Sequence, residues 1–380
     1  MPRDKRFIAH IGMGKCGSTA IQKFLHNNRS RLSAGGIRLA MPFYECKDVF
    51  NAALSCYAEY NYPPELPALQ CAARRDSIFH GLDPEKVLDQ YGRNLAGDLD
   101  KDILFSDEAF AGFEPRRNRR RIEMLSRIYQ PFARTHRLIV LLYMRRQDDA
   151  LQSLYQQLFK PICFRVPFDR YKSLFPPFRK GSEQGLTLDY LQIVRQISQA
   201  LGDHAAVIAR SYDRARRKDL LQDFVEAAGI GTLGLVRPEK TRPNRGISNQ
   251  AIRLLEYAAD FPVADQQELI HLVGNKYGMI REVGQTYPFL SQADAADIME
   301  HYRQSNQEVF QADQEEMDTL FASRTQPDQA EATATELLAL ILPRLVQAER
   351  TSRQLAGQMQ HVVGFLQARG MIDVKGQLVG

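Results

Sequence analysis

The sequence predicts a doubly wound α/β domain, with a mainly parallel central sheet flanked by helices, followed by a helical C-terminal extension. Three observations carry the prediction. Short apolar runs at 6–11, 102–105, 137–144 and 205–209 have the length and continuity of strands buried on both faces. Each run is followed by a helical pattern, the alternation that produces parallel strands. The chain has 380 residues, 44% of them hydrophobic and 25% charged, enough to bury a full core and carry a smaller appendage.

After the first strand, 19–25 opens a helix whose apolar stripe is Ala20, Ile21, Phe24 and Leu25. The stretch 42–99 mixes signals around Pro63, Pro64 and Pro67 and is expected to form a cap insertion over the sheet. Paired prolines and a Lys-Gly-Ser step make 175–183 a loop before an amphipathic helix at 186–201, and helices dominate 248–321. A polar linker begins at 323, so the expected division is a main domain at 1–322 and an extension at 323–380. In the extension Leu338, Ile341, Leu345, Leu355, Met359, Val362 and Leu366 form a seam, with Ala348 and Ser352 at the remaining heptad positions. That seam either packs back onto the domain or makes a homo-oligomer contact, and Pro343 kinks or restarts the helix in both cases.

The polar, basic start of the chain and the shortness of the 7–11 run speak against a signal peptide. No apolar run approaches the roughly 18 residues of a membrane span. A cytoplasmic protein without a transmembrane segment is expected. The five cysteines, Cys16, Cys46, Cys56, Cys71 and Cys163, form no CxxC pair and read as free thiols. With 50 basic against 45 acidic residues, the +5 net charge suits an anionic ligand but is too slight for a nucleic-acid footprint.

The segment 7–22, FIAHIGMGKCGSTAIQ, runs from a strand through a glycine-bearing turn into a helix. Gly12, Gly14 and Gly17 let the backbone curl around an anion, and the amides and dipole of the helix start add positive potential. Lys15 supplies a mobile charge, and Ser18 and Thr19 supply hydroxyl donors. Walker A fails because residue 9 is Ala and Cys16 follows Gly14-Lys15 where the magnesium-holding hydroxyl belongs. A dinucleotide fingerprint fails because a lysine sits inside the turn and no acidic residue clearly ends a second strand.

This turn resembles the 5′-phosphosulfate loop of the sulfotransferases that use PAPS (3′-phosphoadenosine 5′-phosphosulfate), which in bacterial members reads H-I-G-x-x-K-T-G-T-T-x-I-Q. The chain departs from it at Cys16, which loses a good donor and is expected to make the loop sensitive to oxidation, and at Ser18, which keeps the hydroxyl. The family's 3′-phosphate element, a strand ending in Arg with Ser eight residues on, is similar to 138–155, where Arg145 and Ser153 have that spacing. Arg145 leaves the carboxyl end of a strand, where ligands bind in open α/β sheets. Alternatively Arg145 and Arg146 pair with Asp148 and Asp149 on the surface, and Arg146 takes the role if the register is off by one. Weaker similarity at 103–108, 188–190, 210–213, 244–248 and 302–306 extends the match over roughly 6–321.

The resemblance implies a P-loop-like sulfotransferase fold and transfer of the sulfuryl group of PAPS to a hydroxyl, with PAP (adenosine 3′,5′-bisphosphate) as product and no metal. Gly14, Lys15, Cys16, Gly17, Ser18 and Thr19 would hold the 5′-phosphosulfate, Lys15 stabilising the leaving oxygen, and Arg145 and Ser153 would anchor the 3′-phosphate. Glu108 is the expected base with Asp107 its rival, unless either merely opens the next helix as a cap or first-turn acid. His10 and His26 lie close to the loop in sequence and read as structural. Carbohydrate or glycolipid is the expected acceptor. The cluster Arg116, Arg117, Arg119, Arg120 and Arg121 reads as a solvated helix face rather than a contact for an acidic acceptor. A P-loop-like nucleotide kinase or NTPase and a non-catalytic oligomeric binding protein are the alternative functions.

Overall fold

In a computed structural model the chain is described at residues 5–45, 83–112, 115–158, 167–179, 186–202, 205–237, 289–312, 314–321, 351, 352, 354–364 and 367. It divides into two compact units, one of Met1–Ile247, Ala259–Phe261 and Pro288–Thr325, the other of Ser248–Ala258, Pro262–Tyr287 and Gln326–Gly380.

The first unit holds strands β1 (Lys5–His10), β2 (Ile37–Ala40), β3 (Asp102–Ser106), β4 (His136–Met144) and β5 (Ala205–Ser211). They form one parallel sheet in the order β2-β3-β1-β4-β5. The expected α/β class is therefore observed. The helices are α1 (Ser18–Asn27), α2 (Arg29–Ala34), α3 (Pro42–Glu45), α4 (Pro84–Leu95), α5 (Pro115–Tyr129), α6 (Gln147–Leu158) and α7 (Phe168–Lys172), then α8 (Tyr190–Leu201), α9 (Tyr212–Lys218), α10 (Leu220–Ala227), α11 (Gln292–His301), α12 (Arg303–Phe310) and α13 (Gln314–Leu320).

β1 is central and apolar because it is covered on both faces, and Phe7, Ile8 and Ala9 are fully buried. Phe7 packs its ring against Phe105, Tyr129 and Phe132. At the amino end of the strand the Arg6 guanidinium clasps Asp102 of β3, with Nη2 to Oδ2 at 2.6 Å. The link fixes β1 against β3, and the carboxyl ends of β1, β3 and β4 emerge side by side. β1 connects outward to β2 and β4 connects the other way to β5. The crevice where parallel sheets bind ligands thus falls at the ends of β1 and β4.

Three expectations are corrected. β2 was not anticipated: a four-residue strand is too short to show periodicity, and its one cue is the Gly35-Gly36 turn before it. The helix expected from 186 starts at Tyr190, because the Asp189 carboxylate accepts the amides of Leu191 and Gln192 and caps it there. Arg121 is not part of a solvated face. It is 2% exposed and donates to the Ala111 carbonyl at 3.2 Å, whereas Arg119 is exposed and pairs with Glu123.

Most of the cap insertion at 42–99 lies outside the described residues, as do 248–288 of the helical stretch. Of the remainder, α4 packs on α5. In the second unit, the described part of the extension is helical, with Leu355, Met359 and Val362 of the seam exposed. Leu338, Ile341, Leu345 and Leu366 lie outside the described residues. Among the described residues no helix is long and apolar enough to cross a membrane.

Replacing Asp189 by Ala removes a side-chain cap and is expected to cost about 1 kcal/mol in urea unfolding, with Asp189→Ser retaining most of the stability.

Candidate functional site

The turn after β1 is built by two left-handed residues. Gly17 at φ 81° starts α1 without a side-chain cap, and Lys15 at φ 72° occupies a conformation costly for a residue with a Cβ. A Cβ at Gly17 would lie 2.4 Å from Leu220 Cδ2 and 3.0 Å from the Tyr212 ring, so only glycine fits against α9 and α10. Gly14 faces open space instead: a Cβ there would meet nothing within 4 Å. The other helices with N-caps from Asp or Ser, such as α8, α9 and α10, spend a side chain on their first amides. At α1 those amides carry no such cap, which is what an anion-binding helix start requires.

The expected turn residues lie together here. Ser18 is buried at 3% exposure, Thr19 is exposed, and Lys15 is partly buried. Cys16 is buried at 2%. Its Sγ is 3.8 Å from the Gly14 carbonyl, and burial pushes its thiol up to about 12, with the Arg145 charge opposing. Burial and the raised thiol pKa both disfavour the thiolate, which weighs against the expected sensitivity of the loop to oxidation.

Ser18 Oγ donates to Glu108 Oε2. Glu108 opens a 3₁₀ turn, Glu108–Phe110, just past β3, and is exposed, so its carboxylate sits at the rim of the glycine turn. Asp107 is 1% exposed, and its amide donates to the His10 carbonyl at 3.0 Å, extending the β1–β3 pairing. Of the two acids, Glu108 is the one open to an incoming molecule.

β4 runs past the end of β1 and delivers Arg145 beside the turn. Both members of the Arg-Arg pair have acidic partners, as the alternative reading expected, but in a largely buried setting. Arg146 Nε donates to Asp148 Oδ1 at 2.8 Å, its Nη1 to the Phe321 carbonyl at 2.9 Å, and its amide to Asp213 Oδ2 at 2.8 Å. Arg146 is thus committed to the scaffold. Arg145 Nη2 lies 3.6 Å from Asp149 Oδ2, each side chain 13% exposed, while its buried Nε has no hydrogen-bond partner among the described residues. The Arg145 carbonyl accepts Tyr190 Oη, and the Tyr212 ring, which backs Gly17, lies 5.8 Å from the Arg145 guanidinium. Ser153 is half-buried on the second turn of α6.

His10, which the sequence marks only as structural, ends β1. It is 1% exposed, pairs through Nδ1 with Ser106 Oγ at 2.9 Å, and has a buried Nε2 without a partner. That atom would stand 2.9 Å from a Cβ at Gly12, so the imidazole is the floor of the turn. The one sequence signal for this role is its place immediately before Ile11-Gly12. Tyr190 and Tyr212 fall in the weaker similarity at 188–190 and 210–213, but nothing in those segments points to these contacts, which join elements distant in the chain. His26 lies on α1 with its ring stacked on Tyr44. Among the described residues no cluster of His, Cys, Asp or Glu could hold a metal ion. A separate cleft of about 430 Å³ between α8, β5 and α12, with Val194, Val207 and Val309 in its lining, contains none of the expected site residues.

No protein-family model matches the chain, and no curated protein matches it. Among solved structures it is similar to a sulfotransferase from Alicyclobacillus acidocaldarius at 12% identity, over 71% of this chain and 95% of that one, with a TM-score of 0.34. At these values the fold rests on the strand order and the site on its own geometry.

Burial holds His10 neutral, lowering its pKa from 6.5 to about 4. The unfolded chain therefore binds the extra proton first. The stability His10 contributes is complete above about pH 6.5 and is lost as pH falls towards 4, a decline on the order of 3 kcal/mol. Buried Asp148, whose pKa is raised by desolvation, shifts stability in the opposite sense, so the test is a difference. His10→Asn, which retains a partner for Ser106, should flatten the acid limb of urea-melt stability. An unchanged limb would assign the effect to another group.

Proposed function

We propose that the chain transfers the sulfuryl group of PAPS to a hydroxyl of a carbohydrate or glycolipid acceptor. The observation that carries this reading is the convergence of two anion-binding elements 128 residues apart, the uncapped turn before α1 and Arg145 after β4, against the same Tyr212 ring. A nucleotide phosphorylated at both its 5′ and 3′ positions needs two such elements. The fit of the donor finds support in Arg145, whose buried Nε–H lacks an acceptor and whose fork suits a phosphate, and in the open space over Gly14. The nucleotide class and the acceptor class come from the resemblance of the turn to the sulfotransferase loop.

Bound PAPS supplies the sulfuryl group and departs as PAP. In this reading the α1 amides with Ser18 and Thr19 hold the 5′-phosphosulfate, and Arg145 and Ser153 hold the 3′-phosphate, which fixes the donor for in-line attack. Lys15, on a backbone held in a sparsely populated conformation, places its ammonium where negative charge grows on the bridging oxygen as the S–O bond breaks. Glu108 takes the acceptor proton as the new O–S bond forms, so the charges balance without a metal. In the free protein the Glu108 carboxylate accepts from the Ser18 hydroxyl; when the nucleotide binds, that hydroxyl turns to the phosphosulfate and releases the carboxylate for the acceptor.

The test is PAP formation from PAPS over a panel of mono- and oligosaccharide and glycolipid acceptors, without magnesium. Acceptor-dependent release is expected, with kcat reduced about 10²- to 10⁴-fold in Glu108→Gln while the KM for PAPS stays unchanged. Magnesium-dependent turnover of ATP in place of PAP release would favour the kinase reading.

A further inference from the structure

Arg145 already has an anion beside it. Asp149 Oδ2 lies 3.6 Å from Arg145 Nη2, both side chains largely buried, and among the described residues this is the ion pair that Asp149 makes. At that separation there is attraction between charges but no hydrogen bond, and Arg145 Nε–H is left buried with no acceptor. The carboxylate answers the charge of the guanidinium without answering its donors. A phosphate at the same place answers both.

Asp149 does not depend on Arg145 in return. It lies in the first turn of α6, where the helix start favours a carboxylate, so Arg145 can turn to another anion without stranding it. The neighbouring acids are otherwise occupied: Asp148 accepts from Arg146 Nε and from the Asp149 amide, and Asp213 accepts the Arg146 amide. Arg146 has no such freedom, because its donors are divided among Asp148, Asp213 and the Phe321 carbonyl.

From this arrangement we infer that Asp149 is a resident competitor for the 3′-phosphate. It neutralises Arg145 when the nucleotide is absent, weakens nucleotide binding when it is present, and so promotes release of PAP. The inference rests on the sulfotransferase reading of the same site. Removing the charge of Asp149 leaves Arg145 uncompensated in the free protein, a state that only the phosphate then relieves. The affinity for a 3′-phosphate must rise accordingly, and release must slow.

The experiment measures binding of PAP and of adenosine 5′-phosphate by calorimetry at low ionic strength, with the PAP dissociation rate, on the full chain. Wild type, Asp149→Asn, Asp149→Ser, Arg145→Ala and the double variant Arg145→Ala with Asp149→Asn are compared. Asp149→Asn and Asp149→Ser should bind PAP roughly tenfold tighter and release it correspondingly more slowly. Adenosine 5′-phosphate should be unaffected, and the gain should vanish on the Arg145→Ala background. A weaker or unchanged PAP affinity in both folded Asp149 variants, or equal tightening for adenosine 5′-phosphate, overturns the inference and leaves the sulfotransferase reading standing. Failure of wild type to bind PAP overturns both.

Discussion

The candidate site depends on the parallel pairing of β1 with β3 on one side and β4 on the other. That pairing sets His10 opposite Ser106 and Leu141, so the glycine turn, the Asp107-Glu108 step and Arg145 all emerge from one end of three adjacent strands. Each strand contributes a different chemistry to that end. β1 leads into the glycine turn with the uncapped amides of α1, β3 gives a carboxylate, and β4 a guanidinium. The Arg6–Asp102 clasp at the opposite end keeps β1 and β3 in step, tying a partly buried ion pair of the scaffold to the alignment of the site.

The site is held from below by groups that have no part in the proposed chemistry. His10 supports the turn, Arg146 ties the β4 exit to Asp213 and to the carbonyl of Phe321 after α13, and the Ser211 hydroxyl donates to the Leu320 carbonyl. The carbonyls of Leu320 and Phe321, at the end of α13, are thus taken up by side chains of the β4 and β5 exits. A left-handed Lys15 persists in this setting because Gly17 packs too tightly against Leu220 and Tyr212 for the turn to relax.

Much of this was legible in the sequence. Four of the five strands were readable because buried parallel strands are continuous apolar runs, and the turn and Arg145 were readable because their chemistry is local and their spacing fixed. β2 escaped because four residues show no period. The start of α8 was misplaced because an Asp cap outweighed the apolar pattern of 186–189. Arg121 reads as a surface charge in the sequence because composition cannot distinguish a solvated arginine from one buried against a carbonyl of the Glu108 loop. The Ser18–Glu108 contact and the unpartnered Nε of Arg145 arise from residues far apart in the chain, and no pattern within one segment encodes them.

The central claim is that the turn and Arg145 hold opposite ends of one nucleotide. Comparing the calorimetric affinities of PAP and adenosine 5′-phosphate for wild type and Arg145→Ala tests it most directly. The account predicts that Arg145→Ala lowers PAP affinity to the level of adenosine 5′-phosphate and leaves adenosine 5′-phosphate itself unchanged. Equal weakening of both nucleotides, or no change in either, would contradict it.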